Sequence, residues 1–276
     1  MRKYSVLMSV YHKEKPEYLK ASIDSMINQS LKPDEIVLVK DGNLNKSLDG
    51  VIDYYVTRYP GLFNIISLEK NIGLGKALDV GLKECRNELV ARMDTDDISL
   101  PQRCEKQVEV FLESPQLSIV GTNIDEFFED PENIVSSRVV PIKHEDIVRF
   151  IKRRSPFNHP TVMYKKSEVL RCGGYGYLRR KQDLDLFSRM INSGCVGMNL
   201  DKSLLLFRSN EDNFKRRKSW SYCKSYIDVE YAIWKRGHCT FKDLTFVTIG
   251  QLIMFVSPMW LLKQLSNRFL RKTYQS

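Results

Sequence analysis

The chain has 276 residues, 42% hydrophobic and 28% charged, which excludes a disordered or low-complexity chain and supplies a core for one large domain or one domain with an appendage. Its net charge of +9 points to an anionic partner: nucleic acid, a membrane surface or a phosphorylated substrate. The six cysteines form no C-x-x-C pair and no Cys/His zinc spacing, so they read as reduced thiols of a cytosolic protein and exclude a disulfide framework.

Residues 4–10 are an apolar, β-prone run behind Arg2 and Lys3, too short for a signal-peptide core and suited to a first core strand. Pro16 opens a helix to residue 29, with Leu19, Ile23, Met26 and Ile27 on one stripe. Residues 35–39 form a second buried strand that ends at Lys40-Asp41-Gly42. A helix over 48–58, a strand over 63–68, a helix over 75–83 and a strand over 89–93 follow. This alternation predicts an α/β fold with a mostly parallel central sheet flanked by helices. Open parallel sheets bind ligands beyond the carboxyl ends of their strands, and that edge would carry Ser9, Tyr11, Asp41 and an acidic cluster after residue 93. Further strands are expected over 117–122 and 158–164. A glycine-rich turn over 172–176 leads to Gln182, which opens an amphipathic helix.

Residues 244–262 carry no charge, and about twenty apolar residues can span a bilayer. Gly250, Gln251, Ser257 and Pro258 interrupt the run, however, and basic residues flank both ends. The pattern favours a helix in the membrane interface over a buried core helix or a span. Trp260 would then sit at headgroup level, with Lys263, Arg268, Arg271 and Lys272 facing anionic lipid. Other basic runs, at 152–154, 179–181 and 215–218, read as solvated faces.

The segment Ala91-Arg92-Met93-Asp94-Thr95-Asp96-Asp97 places three carboxylates within four residues after a strand end. Like charges this close repel unless a cation sits among them, and hard oxygen ligands suit Mg²⁺ or Mn²⁺ bridging to a diphosphate. A solvated acidic turn is the alternative reading of the cluster alone.

The ordered set of motifs resembles the family 2 glycosyltransferases of GT-A fold, especially bacterial enzymes that build capsule or O-antigen polysaccharide. The segments that carry the resemblance are 5–11, 35–42, Asn71 to Gly81, and 91–97. They are followed by Pro101, Arg103 and Gln107 in a P-x-R-x-x-x-Q pattern, by 159–163 and by 183–187; together they cover residues 4–210. The resemblance implies that Ser9, Tyr11, Asp41, Asn71, Gly73, Lys76, Arg92 and Asp94 bind the nucleotide. Asp41 would accept from a uracil N3–H, and Lys76 would reach a phosphate. Asp96, with Asp94, would ligate Mn²⁺ or Mg²⁺, while Asp97 would position the donor sugar or support the metal ligands. The family's general base is the second residue of a Glu-Asp pair, which here reads Gln182-Asp183. Asp183 is the expected base and Asp185 its rival, shifted by two. His159 and Arg208 are implied contacts to the diphosphate or acceptor.

The implied function is inverting transfer of a hexose from a nucleotide sugar, UDP-linked, to a polyprenyl-diphosphate-linked oligosaccharide. It would take place in contact with an anionic membrane on the cytoplasmic face, without nucleic acid. Residues 1–215 would form the catalytic domain (1–100 binding nucleotide, 101–215 the acceptor), and 216–276 a helical, basic and apolar membrane-associating region. Three alternatives stay open: a catalytically silent scaffold of a polysaccharide assembly complex, a basic nucleic-acid-binding protein, and a nucleotidyltransferase. The last is disfavoured because 9–13 lacks that class's glycine-rich signature loop.

Overall fold

A computed structural model describes residues 3–178, 180–209 and 219–257. The chain alternates β1 (Tyr4–Val10), α1 (Pro16–Ile27), β2 (Glu35–Lys40), α2 (Lys46–Arg58), β3 (Phe63–Ser67), α3 (Leu74–Glu84) and β4 (Leu89–Arg92). It continues through β5 (Ile98–Ser99), α4 (Arg103–Glu113), β6 (Leu117–Phe127), β7 (Ile134–Arg138), α5 (His144–Phe150) and a 3-10 turn (His159–Thr161). Then come β8 (Met163–Lys165), α6 (Lys166–Arg171), α7 (Gln182–Asn192), β9 (Val196–Arg208), α8 (Trp220–Lys235) and α9 (Phe241–Val256).

The strands form one sheet in the order β3-β2-β1-β4-β8-β6-β9-β5, with β7 added on β6. Pairing is parallel from β3 to β4 and mixed beyond, where β8 runs antiparallel to both β4 and β6 while β9 runs parallel to β6. The parallel character expected from the sequence therefore holds for the first half of the sheet and gives way in the second.

Parallel strands need cover on both faces, and the period-2 alternation of β1 and β2 divides their side chains accordingly. Leu7, Val37 and Val39 face α3, where Ala77, Leu78 and Leu82 are fully buried. Val6, Met8, Ile36 and Leu38 face α1 and α2 through Leu19, Ile23 and Ile52. Gly81 lets α3 settle closely, since a Cβ there would lie 2.6 Å from both Leu7 Cδ1 and Val39 Cγ2.

The run 158–164, expected as a strand, is divided. Pro160 has no N–H for a ladder, so His159–Thr161 winds into the 3-10 turn, and the strand begins only at Met163. Buried side chains of α4 hold that turn. Arg103 Nη1 donates to the carbonyls of Arg92 (3.0 Å) and Pro160 (2.7 Å), and Gln107 Nε2 donates to those of Val120 (2.9 Å) and Thr161 (2.8 Å). The P-x-R-x-x-x-Q pattern is thus a clamp between the end of β4 and the segment before β8.

Helices α8 and α9 pack on each other, and α8 rests on α7. Thr240 and Asp243 form a capping box at the start of α9, and Arg153 Nε donates to Asp243 at 2.6 Å. Asp243, Leu244, Val247 and Gln251 face inward, while Phe246, Ile249, Leu252, Ile253 and Val256 are exposed. Among the described residues, no helix is long and apolar enough to cross a membrane. Trp260, Lys263, Arg268, Arg271, Lys272, Arg179 and the run 215–218 lie outside the described residues.

Candidate active site

The carboxyl ends of β1, β2 and β4 lie side by side, as their register requires: Val10 pairs with Lys40, and Leu7 with Arg92. Asp41 follows β2 directly and is 3% exposed. Its Oδ1 accepts from the Ile72 N–H (2.7 Å) and its Oδ2 from the Gly73 N–H (3.1 Å), so the carboxylate ties down the turn that starts α3. Each oxygen keeps a lone pair. Gly42 is required beside it: its φ is +87°, and a Cβ would stand 2.7 Å from Asn71 N. Asn71, Gly73, Gly75, Lys76 and Tyr177 line a cavity of about 240 Å³ at the N-terminus of α3, with Lys76 Nζ 4.8 Å from the Tyr177 ring centre. A helix N-terminus of this kind attracts phosphate. Ser9 is half-buried near the end of β1. Tyr11 lines a different cleft of about 840 Å³, together with Glu14, Asp96 and Arg208.

Carboxylate oxygens of Asp94, Asp96 and Asp97 lie within 4.8 Å of one another. Arg92, 1% exposed, pairs with Asp94, while its Nε and Nη1 have no partner. At that burial the contact that Arg92 makes in the site is its ion pair with Asp94. Burial, with Asp94 and Glu14 nearby, pushes the Asp96 carboxyl up to about 7; burial, with Asp96 and Asp94, pushes Asp97 well above the usual range. Asp97 is fully buried, with Oδ1 accepting from the Arg208 N–H at 2.9 Å and Oδ2 unpartnered. Asp97 therefore braces the cluster and has no surface for a donor sugar. Arg208 Nε donates to the Asp96 carbonyl (2.9 Å), and its guanidinium sits 3.9 Å from the Tyr18 ring centre. Converging hard oxygens from three carboxylates, one of them orphaned among the described residues, fit a divalent cation such as Mg²⁺ or Mn²⁺. Glu14, whose Oε2 accepts from the Thr95 hydroxyl at 2.7 Å, is a neighbour that the sequence did not reveal.

A third cavity, of about 490 Å³, brings together Asp94, His159 and Asp183. Asp183 lies in the first turn of α7, half-buried. The start of α7 stands against the start of α3, where a Cβ on Gly75 would come 3.1 Å from Gln182 Cγ. His159 Nε2 lies 2.9 Å from the Tyr175 hydroxyl, and burial together with Arg92 holds its pKa well below the usual value, leaving a neutral imidazole. Asp185 is placed otherwise. It is 5% exposed, with Oδ2 3.0 Å from Arg189 Nε and Oδ1 2.6 Å from Arg236 Nη2. Held between two guanidinium groups, Asp185 has both oxygens engaged in ion pairs, whereas Asp183 lines the cavity. Lys181, one residue before the helix, adopts left-handed φ 59° and lies 4.5 Å from the ring centres of both Tyr222 and Tyr226. Lys181 is thus not on a solvated face, and its neighbours Tyr222 and Tyr226 come from α8, within the C-terminal region expected to be helical.

A family model described as glycosyl transferase family 2 matches residues 5–183. The amylovoran biosynthesis glycosyltransferase AmsE of Erwinia amylovora is 38% identical over 226 residues, covering 82% of this chain and 84% of that one. A UDP-Gal:alpha-D-GlcNAc-diphosphoundecaprenol beta-1,3-galactosyltransferase of Escherichia coli is 32% identical over 272 residues, covering 97% and 98%. Among solved structures, the mannosyltransferase PcManGT from Pyrobaculum calidifontis, in complex with GDP-Man and Mn²⁺, matches with a TM-score of 0.64 at 14% identity. It covers 96% of this chain and 73% of that one, a likeness of fold.

Proposed function

This chain belongs to glycosyl transferase family 2, and we propose that it moves a hexose from a UDP-linked sugar, with inversion, to a polyprenyl-diphosphate-linked oligosaccharide in surface polysaccharide assembly. The observation that carries this reading is that Asp94 of the acidic cluster and Asp183 line the same cavity. Inversion needs a base on the face of the sugar opposite the leaving group. Asp183 takes the proton of the acceptor hydroxyl as its oxygen bonds to the anomeric carbon and the bond to the UDP oxygen breaks. Asp94 and Asp96 would hold Mn²⁺ or Mg²⁺, which supplies charge neutralisation for the departing diphosphate. The remaining lone pairs of Asp41 suit a uracil N3–H, and Tyr11 packs on base or ribose. Asn71, Gly73 and Lys76 offer backbone and ammonium donors to a phosphate. The neutral imidazole of His159 hydrogen-bonds acceptor or diphosphate, and Arg208 stands over the nucleotide cleft.

The lipid-linked acceptor has support from the galactosyltransferase relative, whose printed acceptor is a diphosphoundecaprenol, and from the exposed apolar face of α9. That face suits peripheral contact with an anionic membrane at its cytoplasmic side. Residues 1–215 make the catalytic domain in this reading, and the region from 216 docks it.

Calorimetry of UDP against GDP, CMP and dTDP, each with and without Mn²⁺, tests the reading. Mn²⁺-dependent UDP binding that Asp96→Ala and Asp41→Ala abolish is expected. Preference for another nucleotide overturns the donor, and no nucleotide binding by folded protein favours the silent scaffold.

A further inference from the structure

The cavity that holds Asp183 has a second end that the chemistry above leaves unused. Its wall there comes from Arg138 at the end of β7, Arg153 and Arg154 after α5, and Lys181 before α7, closed over by Phe246 and Val247 of α9. These cations are braced on the protein. Arg138 Nη2 donates to the Ser155 carbonyl at 3.0 Å, and Arg153 bonds Asp243 and lies 4.6 Å from the Phe246 ring centre. Three acids share the cavity with them: Asp94, which pairs with Arg92, Glu126, which accepts from the Ser136 hydroxyl at 2.8 Å, and Asp183. Gln251, also on this wall, has an amide oxygen with no partner among the described residues. Arginine forks match phosphate oxygens in a way that lysine does not, and 490 Å³ is within the range of small-molecule sites. The helix that closes the cavity continues outward as bare hydrocarbon: Phe246 is 62%, Ile253 51% and Val256 74% exposed, on a stretch without a charge from Leu244 to Val256. A cationic pocket leading onto an apolar ramp is complementary to a ligand that is anionic at one point and prenyl beyond it.

We propose that this wall is the acceptor's lipid-diphosphate subsite. Arg138, Arg153 and Arg154 hold the two phosphates, the prenyl chain leaves along the exposed face of α9, and the sugar carried by the diphosphate is thereby set against Asp183. The proposal rests on the glycosyltransferase reading above and names the part of the acceptor that this chain recognises.

The test is titration of farnesyl diphosphate into the full chain saturated with UDP and Mn²⁺, with farnesol and inorganic diphosphate as comparisons. Farnesyl diphosphate should bind the UDP-loaded protein at least tenfold more tightly than either fragment. Arg154→Gln and Arg138→Gln should each weaken it about tenfold while UDP affinity stays unchanged, which also verifies folding; Phe246→Ala provides a variant that leaves the arginines in place and should weaken it as well. Absence of binding to UDP-loaded protein, displacement of farnesyl diphosphate by UDP, or equal affinity in all three variants overturns the subsite. Failure of the wild-type chain to bind UDP instead overturns the donor reading, so the two failures are distinguishable.

Discussion

Replacing Glu230 by Gln should stabilise the protein, and only at neutral and alkaline pH. Glu230 lies in α8 with no exposed surface, and among the described residues its carboxylate has no cationic partner, only the Cys239 thiol beside it. Burial, together with the nearby charge of Asp243, pushes its pKa from 4.5 up to about 7. Below pH 4.5 the folded and unfolded chains both hold the proton, and this group adds no pH dependence. Between 4.5 and 7 the unfolded chain releases it while the folded chain keeps it, so stability falls as pH rises. Above 7 both forms are ionised and the whole cost of a buried, unpaired carboxylate is present. A difference of roughly 2.5 units at about 1.36 kcal/mol each amounts to about 3 kcal/mol. Glu230→Gln removes the titration but keeps the shape. Urea unfolding followed by circular dichroism should find the variant about 3 kcal/mol more stable than wild type at pH 8, and the gap should shrink below about 1 kcal/mol at pH 5. A gap independent of pH, or a wild type that is the more stable at pH 8, would refute the reasoning.

The two aspartates at the start of α7 should separate cleanly. Asp183→Asn should lower kcat by about 10²- to 10⁴-fold with little change in melting temperature, as loss of a general base does. Asp185→Asn leaves Arg189 and Arg236 without their carboxylate and should destabilise by about 3 kcal/mol, read by thermal unfolding. If the two phenotypes are exchanged, the base assignment is wrong. Gln107→Leu strips partners from the carbonyls of Val120 and Thr161; chemical denaturation should show a loss of about 2–4 kcal/mol. Ile249→Glu with Ile253→Glu should abolish co-sedimentation with anionic vesicles while leaving UDP binding intact, and unchanged sedimentation would count against α9 as the docking face.

The elements that were legible in the sequence are those whose signal is local. Strands β1, β2 and β4 are buried on both faces, so they appear as unbroken apolar runs, and α3 carries its periodicity within eleven residues. The acidic cluster was legible for a related reason, since the repulsion that calls for a cation acts between residues adjacent in sequence. Strand β9 was not legible. It carries Asp201 and Lys202 in its middle, and β6, 78 positions upstream at the closest register (Ile119 against Gly197), is what keeps it extended. The arginines after α5 were missed on similar grounds. A basic triplet in solvent and a basic triplet roofed by a helix have the same local sequence, and the residue that decides between them, Asp243, pairs with Arg153 across 90 positions. The same limit applies to Asp183 and Asp185, which have the same local pattern although only Asp185 pairs with Arg236, the residue that ends α8, 51 positions on.

The carboxylates of the candidate site are carried by a framework of buried and half-buried polar groups. Arg103 joins the end of β4, which leads into the acidic cluster, to the turn that carries His159. Asp79 of α3 accepts from the Tyr175 N–H at 3.0 Å, and Arg189 of α7 donates to the Gly174 carbonyl at 2.7 Å, so the glycine-rich turn is anchored to both helices. One of those helices begins at the Asn71–Gly73 turn fastened by Asp41; the other begins at Asp183. The nucleotide end and the base end of the site are thus connected through Asp41, α3, Asp79, the glycine-rich turn and α7, with each link a buried or half-buried hydrogen bond. Displacement at an anomeric carbon is sensitive to the placement of its base by fractions of an ångström. A chain of short polar contacts from Asp41 to α7 sets that placement without drawing on Asp96 or Asp183, which in the proposed mechanism would leave the one for a cation and the other for a proton.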